Sequence, residues 1–346
     1  MSTTVAPSTN PSTLRDIARL AGVSVATVSR VLNNHPHVRA DVRDRVMGIV
    51  NRARYSTSAQ YSDIVNLAFV PIGGPSFASL LHSPFDTAVL EGMSAGMPQM
   101  HYNLTLLDAH SEKRPDETYS QMFHRRGIRG VVVRTLTQSR AVCESIAEEG
   151  FPMVVVGEYF SHPGVSFVRS DSKSAARQAI DHLLGLGHRR IGVLTYNAAD
   201  ADHTDRLNAY MEAHEARGVE VDHSIILRGL ASRGAAADML RQLTARMDPP
   251  TAIFACDPPL AIGAFLEALR LGLRIPQDIS IIGVDDTDMR LLMTPTMAAV
   301  CQDSRRLGVE ACKALMRLVS DAKAQPVQLT LDTWLEVHPS VGAPKS

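Results

Sequence analysis

The sequence predicts an α/β protein: an N-terminal helix-turn-helix domain followed by a body of two doubly wound lobes. Three observations predict it. Residues 13–54 carry apolar side chains at helical spacing, with a glycine–serine break between the first two stripes. From residue 65 onward, short continuous apolar runs alternate with amphipathic stretches, the texture of parallel sheets covered on both faces. The chain has 346 residues, two or three domains at about 150 residues each, and the length left for the body suits two lobes better than one sheet.

Residues 1–12 are rich in Ser, Thr, Pro and Asn and read as a flexible tail. The helix-turn-helix domain spans 13–58. Thr13 stands three residues before Asp16, a capping-box start, and Leu14, Ile17, Ala18 and Ala21 fall on one helical stripe. Gly22 stops that helix and Ser24 caps the next, whose apolar side is Val28, Val31 and Leu32. A third stripe is Val42, Val46 and either Ile49 or Val50. Residues 59–64 are a short linker poor in core formers. The body, 65–346, carries apolar runs at 65–70, 104–107, 130–133, 153–156, 191–194, 252–255 and 279–284, with helical stretches that include 175–186 and 260–271.

Charge is unevenly placed. Residues 1–61 hold eight Arg, no Lys and three acids, a net +5, so the rest of the chain carries −6 of the overall −1. A basic head on an acidic body points to a small polyanion-binding module joined to a part with another task. The four Cys, at 143, 256, 301 and 312, have neither C-x-x-C spacing nor a disulfide-rich frame. The N-terminus lacks a signal-peptide apolar core, and no apolar run approaches the ~18 residues of a membrane span. A cytoplasmic protein is expected. Aromatic residues are only 5% of the chain, so a binding site does not rest on a broad aromatic lining.

The second helix of the head has the chemistry to read DNA. With Val28, Val31 and Leu32 turned inward, Val25, Ala26, Ser29, Arg30 and Asn33 face outward. A helix fits the major groove, where its N-terminal residues approach base edges. Arg30 supplies a planar fork matched to guanine O6 and N7, and Val25 and Ala26 suit thymine methyls. Thr13, Ser24 and Thr27, near the helix starts, suit phosphate. The rival reading is a three-helix interaction domain with a merely solvated Arg30.

Residues 13–33, with AGVS-x-x-TVSRVLN over 21–33, resemble the head of the LacI/GalR family of bacterial transcription regulators. The body is similar too, in LGHRRI at 186–191, in RIPQDISIIGVDD at 274–286, and in Gln302-Asp303 followed by Gly308. The resemblance covers about residues 13–342. It implies a periplasmic-binding-protein-like body whose cleft takes a small effector, and a homodimer that binds a pseudo-palindromic DNA operator, by default as a repressor. It implies three interlobe crossings, near 165–170, 293–300 and 324–331. Effector candidates that match family positions are Asp285, Arg206, Asp257 and Phe85. Asp257 stands where the family has the Asn of an Asn-Asp pair, and Pro258 replaces the Asp. Each has the alternative of a surface or packing role. Arg134 ends the run 131–133 and adds a second guanidinium, which favours a sugar acid or phosphorylated sugar over a neutral sugar. Its alternative is a salt bridge to an acid such as Glu158.

The linker departs from the family. The usual Y-x-P-N-x-x-A-R-x-L carries a Leu that wedges into the minor groove, whereas Tyr55 is followed by Ser56-Thr57-Ser58-Ala59-Gln60-Tyr61-Ser62-Asp63. Pro, Asn, Arg and Leu are all missing. Tyr61 and Ile64 are the substitute wedges, with strand entry the stronger role for Ile64, and weaker operator bending is expected. No enzyme is expected: S-x-x-K at 170–173 lacks companion motifs, and there is no G-x-x-x-x-G-K-[ST], G-x-S-x-G or H-E-x-x-H. The 13 His are scattered, so neither a metal site nor a cofactor is expected. The remaining rival is a solute-binding receptor without a regulatory role, which the attached head opposes.

Overall fold

The computed structural model describes residues 14–32, 38–39, 41–43, 45–46, 49, 64–73, 83–97, 102–197 and 200–345. Thr13, Asn33 and nearly the whole linker lie outside them, as do the side chains of Leu14, Ser29 and Leu32.

In the head, α1 (Leu14–Ala21) and α2 (Val25–Leu32) are joined by a tight turn. Gly22 sits at φ +64°, the left-handed conformation that ends a helix cheaply only without a Cβ. The Ser24 hydroxyl accepts the Thr27 N–H at 3.1 Å, the cap the sequence predicts. Residues 41–43, 45–46 and 49 are helical as well. Ala18, Ala21, Val28, Val31, Val46 and Ile49 form the buried core, so the three apolar stripes meet as their spacing requires.

The body contains two six-stranded sheets. The first is ordered β11-β5-β4-β3-β1-β2 and the second β12-β10-β9-β8-β6-β7. Their strands are β1 (Val65–Ile72), β2 (Tyr102–Leu106), β3 (Gly130–Thr135), β4 (Met153–Val156), β5 (Ser166–Ser170), β6 (Ile191–Tyr196), β7 (Ile226–Gly229), β8 (Ala252–Ala255), β9 (Ser280–Asp285), β10 (Ala298–Cys301), β11 (Gln328–Leu331) and β12 (Trp334–Glu336). Parallel pairing runs through both sheets, with β12 antiparallel to β10 at the edge of the second. The central strands are buried along their whole length, which is why they read as unbroken apolar runs.

Four helices matter for the site. They are α3 (Pro84–Gly96), α7 (Ser172–Gly185), α8 (Ala201–Ala216) and α10 (Pro258–Arg270), with α4 (Ala109–Glu112), α5 (Tyr119–Arg125), α6 (Arg140–Glu148) and α9 (Arg233–Thr244) filling the windings between. The last helix, α11 (Ser304–Ser320), returns from the second lobe and packs on α3 and strands β3, β4 and β5 of the first. The chain therefore changes lobe between β5 and α7, between β10 and α11, and between β11 and β12. Each crossing lies just beyond the stretch expected from the sequence, because those stretches are themselves the closing strands of a lobe.

Backbone approaches backbone where α3 meets α11. A Cβ on Gly92 would stand 1.8 Å from the Arg305 carbonyl oxygen, and one on Gly308 2.0 Å from that of Val89. Overpacking of this kind costs about 1–3 kcal/mol even where side chains can yield. Gly308→Ala is expected to lose at least that much stability in urea unfolding; an unchanged midpoint would contradict the close helix contact.

Candidate functional site

Both sheets share one winding rule. In the first lobe the order reverses between β1 and β3, and in the second between β6 and β8. At such a point neighbouring loops leave in opposite directions and open a crevice at the carboxyl ends of the strands. Charged side chains collect there in both lobes.

The first lobe contributes Phe85, Asp86 and Arg134. Ser83 caps α3 by accepting the Asp86 N–H at 3.2 Å, which fixes Phe85 and Asp86 in the first turn. Arg134, near the end of β3, lies over the Phe85 ring at 4.7 Å and pairs with Asp86 at 3.3 Å. Gly157, at φ +77°, makes room for them: a Cβ there would come within 3.0 Å of the guanidinium. Burial alone would lower the Arg134 pKa, but Asp86, Asp200, Asp202 and Glu158 raise it on balance. The acid bonded to Arg134 is Asp86, not Glu158. Glu158 is taken by Arg140 at 2.6 Å and by the Thr137 hydroxyl at 3.1 Å. Burial lifts Asp86 above the usual carboxylate range despite Arg134.

The second lobe contributes Tyr196, Asp200, His203 and Asp257. Asp200 caps α8 by accepting the His203 N–H, and it also holds the His203 ring through Nδ1 at 2.8 Å. Burial opposes charge on both. The pair nevertheless settles as imidazolium and carboxylate, with His203 pushed up to about 9 by Asp200 and Asp200 held well below its usual value by His203. Tyr196 packs on the His203 ring at 5.6 Å. Asp257 precedes α10 but makes no capping bond. Pro258 and Pro259 remove the first two N–H groups of the helix, which include one of the two that such a cap engages, and Asp257 makes no bond to the other, that of Leu260. Its carboxylate instead stands 3.5 Å from His203 Nε2.

Arg206, 3% exposed, lies behind this wall. It donates to the Cys256 carbonyl at 3.0 Å, to Ser172 Oγ at 3.3 Å and to Gln302 Oε1 at 3.4 Å. Ser172 in turn donates to Asp202 at 2.8 Å. Gln302 and Ser304 donate to Asp286, whose carboxyl burial pushes up to about 7 although Arg206 opposes.

Asp285 lies elsewhere. Its carboxylate accepts from the backbone N–H groups of Thr287, Met289 and Arg290 and pairs with the Arg290 guanidinium at 2.9 Å, which ties down its own loop. Successive residues at a strand end point to opposite sides, so the carboxylate near Arg206 belongs to Asp286. Arg134 and Arg206, expected as an anion clamp, each already have partners, although Arg206 Nε has no acceptor among the described residues, and acids stand around both. Asp86, Asp200, Asp202 and His203 are not among the effector candidates of the sequence, and Asp286 and Gln302 enter there only as part of the family resemblance. The spacing D-x-D-H at 200–203 and the second Asp of 285–286 were the only sequence signals available for them.

In the head, Ser24, Val25, Ala26 and Arg30 are exposed and Thr27 half-buried. Ser24 and Thr27 hydroxyls lie 2.9 Å apart at the start of α2. Thr13, Asn33 and the Ser29 side chain fall outside the described residues.

Residues 13–58 match the model of the bacterial regulatory proteins of the lacI family, and 159–339 match that of the periplasmic binding protein-like domain. The chain belongs to the LacI family. The ribose operon repressor of Haemophilus influenzae is 28% identical over 331 residues, covering 95% of this chain and 98% of that one. The HTH-type transcriptional repressor PurR of Photobacterium profundum is 26% identical, with the same coverages. Among solved structures, the transcriptional regulator CelR–cellobiose complex is 26% identical with a TM-score of 0.69, covering 96% of this chain and 100% of that one. These relatives are transcription regulators, not enzymes. Among the described residues, no helix of this LacI-family chain is long and apolar enough to cross a membrane.

Asp286 gives a pH test. Its folded pKa of about 7 lies above the unfolded value of about 3.9. Between the two the native state holds a proton that the unfolded chain has released, so stability falls as pH rises through this window and the loss is complete above 7. Asp286→Asn removes the penalty. Its stability advantage over the parent is expected to widen by about 1–3 kcal/mol from pH 5 to pH 8; an advantage flat with pH in urea titrations would refute the assignment.

Proposed function

We propose that this regulator is a cytoplasmic repressor that binds a pseudo-palindromic operator as a homodimer and is controlled by a small sugar-class effector held between its lobes. One observation carries the effector reading. Among the described residues, Arg206 Nε is buried without a hydrogen-bond acceptor and Asp257 Oδ1 without a donor, while His203 Nε2 and Asp86 Oδ1 have only ion-pair contacts, to Asp257 at 3.5 Å and to Arg134 at 3.3 Å. A buried polar atom left unpaired costs ~1–3 kcal/mol, and a ligand dense in hydroxyl groups offers donors and acceptors together. The effector contacts are assigned to Phe85, Asp86, Arg134, His203, Arg206, Asp257 and Asp286. The CelR–cellobiose relative supports a sugar. With acids outnumbering free cations, a sugar acid or phosphorylated sugar fits less well than a ligand without negative charge.

Arg206 supplies the route from cleft to hinge. Its partners Ser172 and Gln302 begin the second-lobe side of one crossing and lie within another. A ligand that draws on Arg206 changes the relative stability of two lobe arrangements, and operator affinity shifts by no more than that difference. Two-fold symmetry supports paired half-sites.

Selection from random DNA should recover a two-fold related site. Arg30→Ala is expected to weaken it by ~1–3 kcal/mol and to relax one base position per half-site; equal affinity of mutant and parent across site variants would remove Arg30 from base readout. In thermal-shift screening, a cleft ligand at 100 times its Kd should stabilise the protein by about 2.7 kcal/mol, and Phe85→Ala should abolish that shift.

A further inference from the structure

We infer that the effector carries a positively charged nitrogen seated between Asp86 of the first lobe and Asp257 of the second, an amino sugar being the class that fits. This rests on the cleft reading above and adds the ligand's charge to it.

Each aspartate stands at the start of a helix, Asp86 as the third residue of α3 and Asp257 just before α10. Asp257 keeps one oxygen, Oδ1, buried and without a donor among the described residues, and the buried Oδ1 of Asp86 has Arg134 Nε beside it at 3.3 Å, an ion pair without hydrogen-bond geometry. The cause is local. Pro259 takes away one of the two N–H donors, at the second and third helical positions, that an N-cap aspartate engages, and Asp257 makes no bond to the other, that of Leu260. The Arg134 guanidinium also lies over the Phe85 ring at 4.7 Å.

The charge balance agrees. Among the described residues, Asp86, Asp200, Asp202, Asp257 and Asp286 face Arg134, His203 and Arg206. Of the cations, His203 is committed to Asp200, and Arg206 to Cys256, Ser172 and Gln302. Segments 74–82 and 198–199, which follow the ends of β1 and β6, contain no Lys or Arg. Burial holds Asp86, Asp202 and Asp286 above the usual range, and the charge of Asp257 raises Asp86 further.

Like charges on facing lobes oppose closure. A protonated primary amine has three N–H donors and no acceptor, so it can donate to Asp257 Oδ1 and to Asp86 Oδ1 together and offset the repulsion between them. A carboxylate or phosphate ligand would add to it. Among the described residues, no group of three or more His, Cys, Asp and Glu is placed to hold a metal ion.

The test is calorimetric titration of the full-length protein at neutral pH. The probes are glucosamine, galactosamine and mannosamine, each beside its parent hexose, its N-acetyl form and the matching uronic acid. At least one amine should bind tenfold or more tightly than its hexose and N-acetyl form. Asp86→Asn and Asp257→Asn should each weaken that amine at least tenfold, with the ligand-free melting temperature of each variant reporting that it folds. Asp257→Asn leaves the Arg134 pair intact, so it decides the matter if Asp86→Asn fails to fold. A neutral hexose that binds as tightly as its amine and ignores both substitutions overturns the inference while leaving the cleft reading in place. Binding that survives Phe85→Ala together with both Asn variants, or no binding by any probe, overturns both.

Discussion

A guanidinium taken out of water needs partners that replace its hydration, and the partners Arg206 finds define how the body holds together. They are the carbonyl that ends β8, the serine that opens α7 after the first crossing, and the glutamine between β10 and α11. Removing one partner of such a buried charge costs far more than the pair contributes on its own. The interaction is therefore less a source of stability than a condition on geometry: two crossings and a strand end must stay within reach of one planar group. Arg169 adds an ion pair to Asp205 from the opposite lobe, beside the same crossing.

That condition explains why the acids stand where they do. Asp200, Asp202, Asp257 and Asp286 all follow carboxyl ends of second-lobe strands, and three of these positions lie in or beside the first turn of a helix. Helix N-termini favour negative charge through their free N–H groups and dipole. Here the N–H groups are partly used or missing, so the charge is tolerated without being fully satisfied. A wall of this kind suits reversible binding.

Seven strands, β1 to β4, β6, β8 and β9, were legible as apolar runs, whereas β5, with Ser166, Arg169 and Ser170, and β10, with two small alanines, were read only as crossings although both are largely buried. β4 and β8 fall where their runs do. The edge strands β7, β11 and β12 were not legible: their exposed positions carry Arg228, Gln328, Thr330 and Trp334, so no continuous apolar run marks them. At the site, Phe85, Arg206 and Asp257 are expected from the family resemblance and Arg134 from its place after the run 131–133; Arg134 and Phe85 stack on each other, Asp257 follows β8, and Arg206 donates to the Cys256 carbonyl just beyond β8. Asp285 and Asp286 show the limit. Neighbouring identical residues differ only in which side of the strand end they face, and that is decided by Arg290, whose guanidinium and N–H both engage Asp285. The salt bridge of Arg134 to Asp86 was invisible for a similar reason, because 48 residues and a strand separate them.

The glycine contact between α3 and α11 reaches further than packing. α11 begins at the second crossing, directly after Gln302, and lies against α3, whose first turn presents Phe85 and Asp86. Where backbone meets backbone there are no rotamers to absorb a displacement. The two helices then behave as one stiff lever with its pivot at the crossing and its working end at the ligand wall. On the proposed effector reading, a rotation at the crossing would carry Phe85 and Asp86 along with α11, because the glycine contact leaves no side chain between the two helices to yield.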